Sequence, residues 1–218
     1  MCQTFYLREG VHVAAVGGDL VTLDTAAGAY GCFPGLGSAV ERRGPGGCVE
    51  VANAGAAAQL VEAGLLGAGP QAEALPLPPP MPIRSVWRTG RVAVAPTDFH
   101  RLAAAYLRAA PGLWRLSFGK LLAHAIRERP RDADPSPDAL RHDAQAFDQL
   151  MPFVPFQGQC LFRSRLLLAF LRSGGRDAQW VFGVRTYPFG AHCWLQSDDT
   201  VLDDAAEAIC AYVPILAV

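Results

Sequence analysis

An α+β chain in two unequal units is what the sequence predicts, and three observations carry it. The first third alternates apolar and polar residues between glycine turns. Residues 67–82 hold too much proline for a helix or a central strand. The remainder carries apolar stripes at helical spacing and then two strands.

In the first unit, Phe5-Tyr6-Leu7 and Val11 to Val16 suggest a first strand or pair. Gly17-Gly18-Asp19 turns the chain into Leu20-Val21-Thr22-Leu23-Asp24, which alternates like a half-buried strand. Ala26-Ala27-Gly28 turns it again into Ala29 to Phe33. Three short antiparallel strands are expected. After Gly44-Pro45-Gly46-Gly47, the run Ala54 to Leu66 sets Leu60, Val61, Gly64 and Leu65 at helical spacing, with Gly67 as the stop. The expected division is a unit at 1–66, an extended proline-rich connector at 67–82 and a second unit at 83–218.

In the second unit, Pro96-Thr97-Asp98 starts a helix with Thr97 as the cap. Phe99, Leu102, Ala103, Tyr106 and Leu107 make its stripe, and Pro111-Gly112 ends it. Leu113 to Arg129 carries the next stripe through Leu116, Leu121, Leu122 and Ile126, and Asp138 to Leu150 a third. A further helix runs from Cys160 to Leu171, broken by Ser173-Gly174-Gly175. Strands follow at Ala178 to Thr186 and His192 to Ser197, the latter paired through Asp198-Asp199 with Thr200 to Asp203.

Composition excludes several classes of function. The 218 residues carry a formal net charge of −1 and no basic cluster, so nucleic acid is not an expected partner. No run approaches the roughly 18–20 apolar residues of a membrane span, and the start lacks a secretory pattern, so a cytoplasmic location is expected. The six cysteines show no C-x-x-C pair, and no Cys/His cluster has metal-site spacing. No G-x-x-x-x-G-K-[ST] occurs, so no ATP site is assigned, and no cofactor or metal is expected.

The chemistry points to Cys160. It follows Phe156-Gln157-Gly158-Gln159 and opens a helix, where the backbone dipole and free N–H groups favour a thiolate. Cys2, Cys32 and Cys210 read as packing or incidental residues and Cys48 as a loop residue. His192 lies on a strand, with an acid on the next strand. Thiol, imidazole and carboxylate in that order suit nucleophilic cysteine catalysis. The acid is Asp203 or Asp204. A two-residue Asp198-Asp199 loop sets Trp194 opposite Asp203, which then shares a face with His192, and a three-residue loop sets Trp194 opposite Asp204. Gln157 and Gln159 are candidate oxyanion donors, and Arg185 and Tyr187 candidates for lining a cleft.

Cys160-Leu161, Val181 to Phe189 (G-V-R-T-x-P-F within it), His192-Cys193-Trp194 and Val201-Leu202-Asp203-Asp204 resemble the lasso-peptide maturation proteases, the B proteins of the transglutaminase-like cysteine peptidase superfamily. The resemblance implies a transglutaminase/papain-like carboxy-terminal domain, with helices packed on a short antiparallel sheet. It also implies a Cys160, His192, Asp204 triad that removes the leader from a ribosomally made precursor peptide. The family usually has Ala or Ser after the histidine, where this chain has Cys193. The core peptide would pass to an ATP-using, asparagine-synthetase-like lasso cyclase as partner. More weakly, Leu20 to Asp24 and Gly28-Ala29-Tyr30 resemble a leader-recognition domain, a winged-helix-like fold of three strands and three helices. There the leader adds beside the third strand and packs on the last helix, which implies contacts at Tyr30, Leu60 and Leu65. The same triad also suits transglutamination or amine acylation, and a non-catalytic leader-binding chaperone would carry the same recognition unit.

Overall fold

The computed structural model of the chain describes residues 3–72, 75–134, 136–155 and 159–218. Its amino-terminal part contains β1 (Gln3–Leu7), β2 (Val11–Val16), β3 (Asp19–Asp24), β4 (Ala29–Phe33), β5 (Val40–Arg42), β6 (Cys48–Val51), α1 (Ala54–Glu62) and β7 (Leu66–Gly67). β2, β3 and β4 form the expected antiparallel meander, and β1 belongs to a different sheet of order β5-β6-β1-β7. Val16 pairs with Asp19, so the first loop is Gly17-Gly18 alone, at φ of 57° and 95°. Those left-handed angles define the two-residue turn whose twist suits a hairpin.

Helix α1 is capped by Asn53, whose side chain accepts the Ala56 N–H at 2.9 Å. It stops at Gly64 rather than Gly67, because Gly64 takes φ 65° and the Leu65 N–H returns to the Leu60 carbonyl at 3.0 Å. That frees Leu66 and Gly67 to pair with β1. The described amino-terminal residues thus hold one helix where the winged-helix resemblance implies three. The glycine-rich run after Phe33 makes turns and the β5–β6 hairpin in place of the first two.

The proline-rich connector has neither helix nor strand among its described residues 68–72 and 75–82. It is tied down at several points. The buried Gln71 side chain donates to the carbonyls of Arg8 and Val11, and the Pro80 carbonyl accepts from Gln196 Nε2 at 2.8 Å.

The carboxy-terminal part runs β8 (Arg84–Ser85), α2 (Pro96–Arg115), α3 (Phe118–Arg127), α4 (Pro137–Leu150), a 3₁₀ turn (Met151–Phe153), α5 (Cys160–Ser173), β9 (Gln179–Arg185), β10 (Gly190–Ser197), β11 (Thr200–Val201), α6 (Ala206–Ile209) and β12 (Val213–Ala217). The sheet order is β12-β9-β10-β11-β8, antiparallel except where β8 joins β11. α2 departs from expectation at both ends. Its N-cap is Ala95, whose N–H reaches the Asp98 side chain at 2.9 Å, so Thr97 lies inside the helix. It also continues through Pro111, which removes one donor at an exposed stretch near Leu107 and so leaves a carbonyl open to water. Arg101 of α2 donates to Asp143 of α4 at 2.6 Å and to the Phe170 carbonyl of α5 at 3.3 Å, locking three helices together.

Strands β2 and β3 bury residues on both faces. Val11, Val13 and Leu20 point into an amino-terminal core with Val49, Val51 and Leu60, while Ala14, Val16, Val21 and Leu23 join the main core with Phe170, Phe182 and Leu195. Alternation along β2 and β3 therefore serves two cores at once. Across the same seam Tyr187 donates to Asp19 at 2.8 Å and Arg42 to the Ile215 carbonyl at 3.0 Å.

Because the cores share these strands, Leu20→Ala and Leu23→Ala are each expected to cost about 2–5 kcal/mol and to lower the midpoint of one common transition. Calorimetry resolving two transitions, with each variant shifting a different one, would contradict the shared seam.

Candidate active site

α5 begins at Cys160 itself, half-buried and facing a cavity that His192 and Cys193 also line. Gln159 precedes the helix in extended conformation, and its carbonyl accepts the N–H groups of Phe162 and Arg163. Its own side chain is exposed and caps nothing. Gln157 lies outside the described residues. α5 packs its apolar side on β10, which places the helix start over the strand carrying His192.

His192 Nε2 lies 2.6 Å from Asp204 Oδ2, leaving Nδ1 as the ring nitrogen available to Cys160. The ring packs against Tyr212 and Trp194, with centroids at 5.3 and 6.2 Å. Across the ladder His192 pairs with Gly183, where a Cβ would come within 2.7 Å of the Trp194 ring. The missing side chain lets Trp194 lie across the sheet and support the imidazole.

The two adjacent acids take separate places. Ser197 pairs with Thr200, so the loop is Asp198-Asp199, the two-residue alternative. Its corollary that Asp203 would share a face with His192 fails, because the ladder ends at Val201. Beyond it the Asp203 carboxylate replaces a main-chain partner, accepting the Leu195 N–H at 2.8 Å and the Ser164 hydroxyl at 2.6 Å. Asp203 is therefore buried, and Asp204 is turned toward the ring. The backbone here is clamped by Arg163 on the Asp203 carbonyl at 3.1 Å and by the Ser85 hydroxyl on the Asp204 carbonyl at 2.6 Å.

The charges follow from these contacts. The Cys193 thiol beside it, and after that the His192 ring, hold the Cys160 thiol down to about 4 in spite of burial. Asp204, then Cys160, raise His192 to about 9. Burial pushes the Asp204 carboxyl up, but the imidazole and the Ala205 N–H hold it below the ordinary value. The pair therefore rests as thiolate and imidazolium between about 4 and about 9. Burial raises Asp203 to about 6, marking it as a structural carboxylate. Cys193 is raised well above an ordinary thiol, first by Cys160, and stays protonated as a donor.

Strand alternation turns the Cys193 side chain to the sheet face opposite His192. It reaches Cys160 because α5 lies on the sheet face that Cys193 and Leu195 share. The pattern of β10 together with the apolar face of α5 held that signal. Tyr30, on β4, also lines the cavity. Leu60 and Leu65 do not join it: they are interior residues of the amino-terminal core, occupied in packing with Val11 and Val51. Tyr187 lines a neighbouring hollow with Tyr30, while Arg185 packs its guanidinium 5.2 Å from the Tyr212 ring. Among the described residues, no group of three or more His, Cys, Asp or Glu could hold a metal ion, and no helix is long and apolar enough to cross a membrane.

Alkylation of Cys160 by iodoacetamide, followed by peptide mass mapping against pH, should show a thiolate persisting far below the ordinary thiol range. Cys193→Ala removes the foremost stabilising donor and should move the midpoint upward. Asp204→Ala should lower the pH at which the imidazolium is lost. A wild-type midpoint near that of a free thiol would refute the ion pair. Gly183→Ala should displace Trp194, costing about 1–3 kcal/mol by overpacking and weakening the low-pH reactivity of Cys160. Unchanged melting and reactivity would count against this support.

A family model described as the transglutaminase-like superfamily matches residues 103–217, from within α2 to the end of β12. No curated protein and no solved structure matches the chain. The matched segment is more than half of the sequence and contains Cys160, His192 and Asp204, so the chain belongs to the transglutaminase-like superfamily.

Proposed function

We propose that the chain is a cysteine peptidase that removes the leader from a ribosomally made lasso-peptide precursor and delivers the core peptide to a partner cyclase. The observation that carries this reading is the 2.6 Å contact of His192 with Asp204 beside a thiol held as thiolate in an open cavity. Membership of the superfamily supports acyl chemistry at Cys160, and the G-V-R-T-x-P-F run before His192 supports the narrower assignment.

In this mechanism Cys160 Sγ attacks the scissile carbonyl, forming the C–S bond. His192 gives its Nδ1 proton to the leaving amine as the C–N bond breaks. It then takes a proton from water, whose oxygen attacks the thioester, and the C–S bond breaks to free the acyl product and restore the thiolate–imidazolium pair. Asp204 keeps Nε2 protonated and the ring oriented. The Cys160 N–H, in the first turn of α5 and without an intrahelical acceptor, is the donor best placed for the oxyanion, with Gln159 as the second candidate.

The amino-terminal part is assigned to leader recognition. The outer edge of β4 has no strand beside it among the described residues, so an extended peptide can add there next to Tyr30. With Leu60 and Leu65 buried, such contact falls to the β4 edge.

Amine acylation differs only in what resolves the thioester, and the superfamily assignment favours keeping it as a second reading. A precursor peptide should be incubated with wild-type and Cys160→Ala protein, with and without the cyclase and a primary amine. Leader release by wild type alone, reduced by more than about 10²-fold in Asp204→Ala as loss of acid–base catalysis requires, fits the peptidase. Transfer onto the amine in place of hydrolysis supports the second reading. Undiminished processing by Cys160→Ala would end both.

A further inference from the structure

The cavity beside the thiol has a volume of about 220 Å³. That is below the roughly 300–1,000 Å³ of a site for a whole small molecule, and it suits a single side chain. Apart from the reacting pair, no charged side chain among the described residues lines it. Its walls come from both halves of the chain: Leu23, Gly28 and Tyr30 from the meander, Phe118 from the first turn of α3 and Phe182 from β9. Phe118 and Phe182 stand edge to face, centroids 5.2 Å apart and planes at 87°, and Tyr30 packs on Phe189 at 5.5 Å. Gly28 has φ 65°, and a Cβ there would already be 3.5 Å from Phe118, so any larger side chain would project into the hollow.

We propose that this cavity is the acyl-side specificity pocket, seating one uncharged apolar side chain of the substrate, with the amino-terminal meander as one of its walls. The acyl carbon becomes bonded to Cys160 Sγ, so a hollow walled by that residue and its helix neighbour Leu161 is within reach of what stays attached. Burying an apolar group against rigid aromatic walls favours it, while a carboxylate or ammonium would enter unpaired. The meander thus does more than hold a leader: Tyr30, part-exposed at the cavity wall, decides which residue can precede the broken bond. This inference rests on Cys160 acting as the nucleophile.

The test uses 4-nitrophenyl esters of acetate, 4-methylpentanoate, 3-phenylpropanoate and succinate. Cys160 Sγ forms a thioester, and the ester C–O bond breaks to release 4-nitrophenolate. Each rate is divided by that of a free thiol with the same ester. Wild type should prefer 4-methylpentanoate over acetate and succinate by at least about 10-fold, the scale of pocket discrimination between apolar groups. Tyr30→Ala should shift the preference to 3-phenylpropanoate. Ala191→Leu, at an exposed residue on the rim, should abolish it, giving a variant whose folding is not at stake. Acylation mapped to Cys160 with equal normalised rates, or a preference unmoved by both variants, overturns the pocket and leaves the nucleophile standing. Release of nitrophenolate at the wild-type rate by Cys160→Ala would overturn the nucleophile and the pocket with it.

Discussion

The buried carboxylate of Asp203 holds the site in register, although it touches no reacting atom. It accepts from the Leu195 main chain and the Ser164 hydroxyl, and so ties the end of the β10–β11 ladder to the second turn of α5. Those are the two elements that carry imidazole and thiol. The next residue is thereby turned out of the sheet pattern and toward His192. Burying a carboxylate costs free energy unless its oxygens are satisfied, and here both are. Burial still raises the Asp203 carboxyl to about 6, the direction expected where desolvation outweighs those hydrogen bonds.

Electrostatics at the thiol are arranged in layers. The helix end supplies partial positive charge, the Cys193 thiol a neutral donor, and the imidazolium a full charge fixed by Asp204. Each acts on the anion rather than on the neutral thiol, so the resting state is already charged for attack. Burial first, and then the neighbouring Cys193 and Cys160 sulfurs, raise Tyr30 to about 12. Its hydroxyl therefore stays protonated, and it contributes an uncharged wall.

Legibility in the sequence followed the range of the interaction. Cys160 and His192 were readable because a helix start and a strand are local signals: a polar, glycine-containing run before an apolar stripe, and a pair of strands around a two-residue loop. The Gly17-Gly18 turn was readable for the same reason. Asp203 and Asp204 could not be separated, because what separates them is a side chain substituting for main chain at the end of a ladder, a tertiary event without periodicity. The end of helix α1 is not legible in the sequence because Gly64 and Gly67 are equally good stops there, and only pairing of Leu66 with β1 chooses between them. Leu60 and Leu65 carry the same apolar signal whether they face a ligand or a core, and it is the β5–β6–β1 sheet that covers them. Cys193 was hidden by a correct rule applied without knowing which sheet face α5 covers.

The sharing of β2 and β3 between two cores has a consequence for how the halves communicate. In the proposed recognition mode a peptide would pair with the outer edge of β4, the strand that presents Tyr30, and Tyr30 also walls the cavity next to the thiol. Binding that favours one arrangement of that strand contributes RT ln(1 + [L]/Kd) to that arrangement alone. By linkage, a side chain that fills the cavity and favours the same arrangement would tighten that peptide by the same factor. Coupling then requires no moving domain and no long pathway. It needs one strand, satisfied on its inner edge by β3 and open on its outer edge, whose side chains reach the reacting centre. A free recognition unit joined only by its connector would supply effective concentration but not this reciprocity. What distinguishes the two is the packing of Val21, Leu23 and Tyr30 into the main core, which joins the proposed recognition edge and the thiol cavity in one packed body.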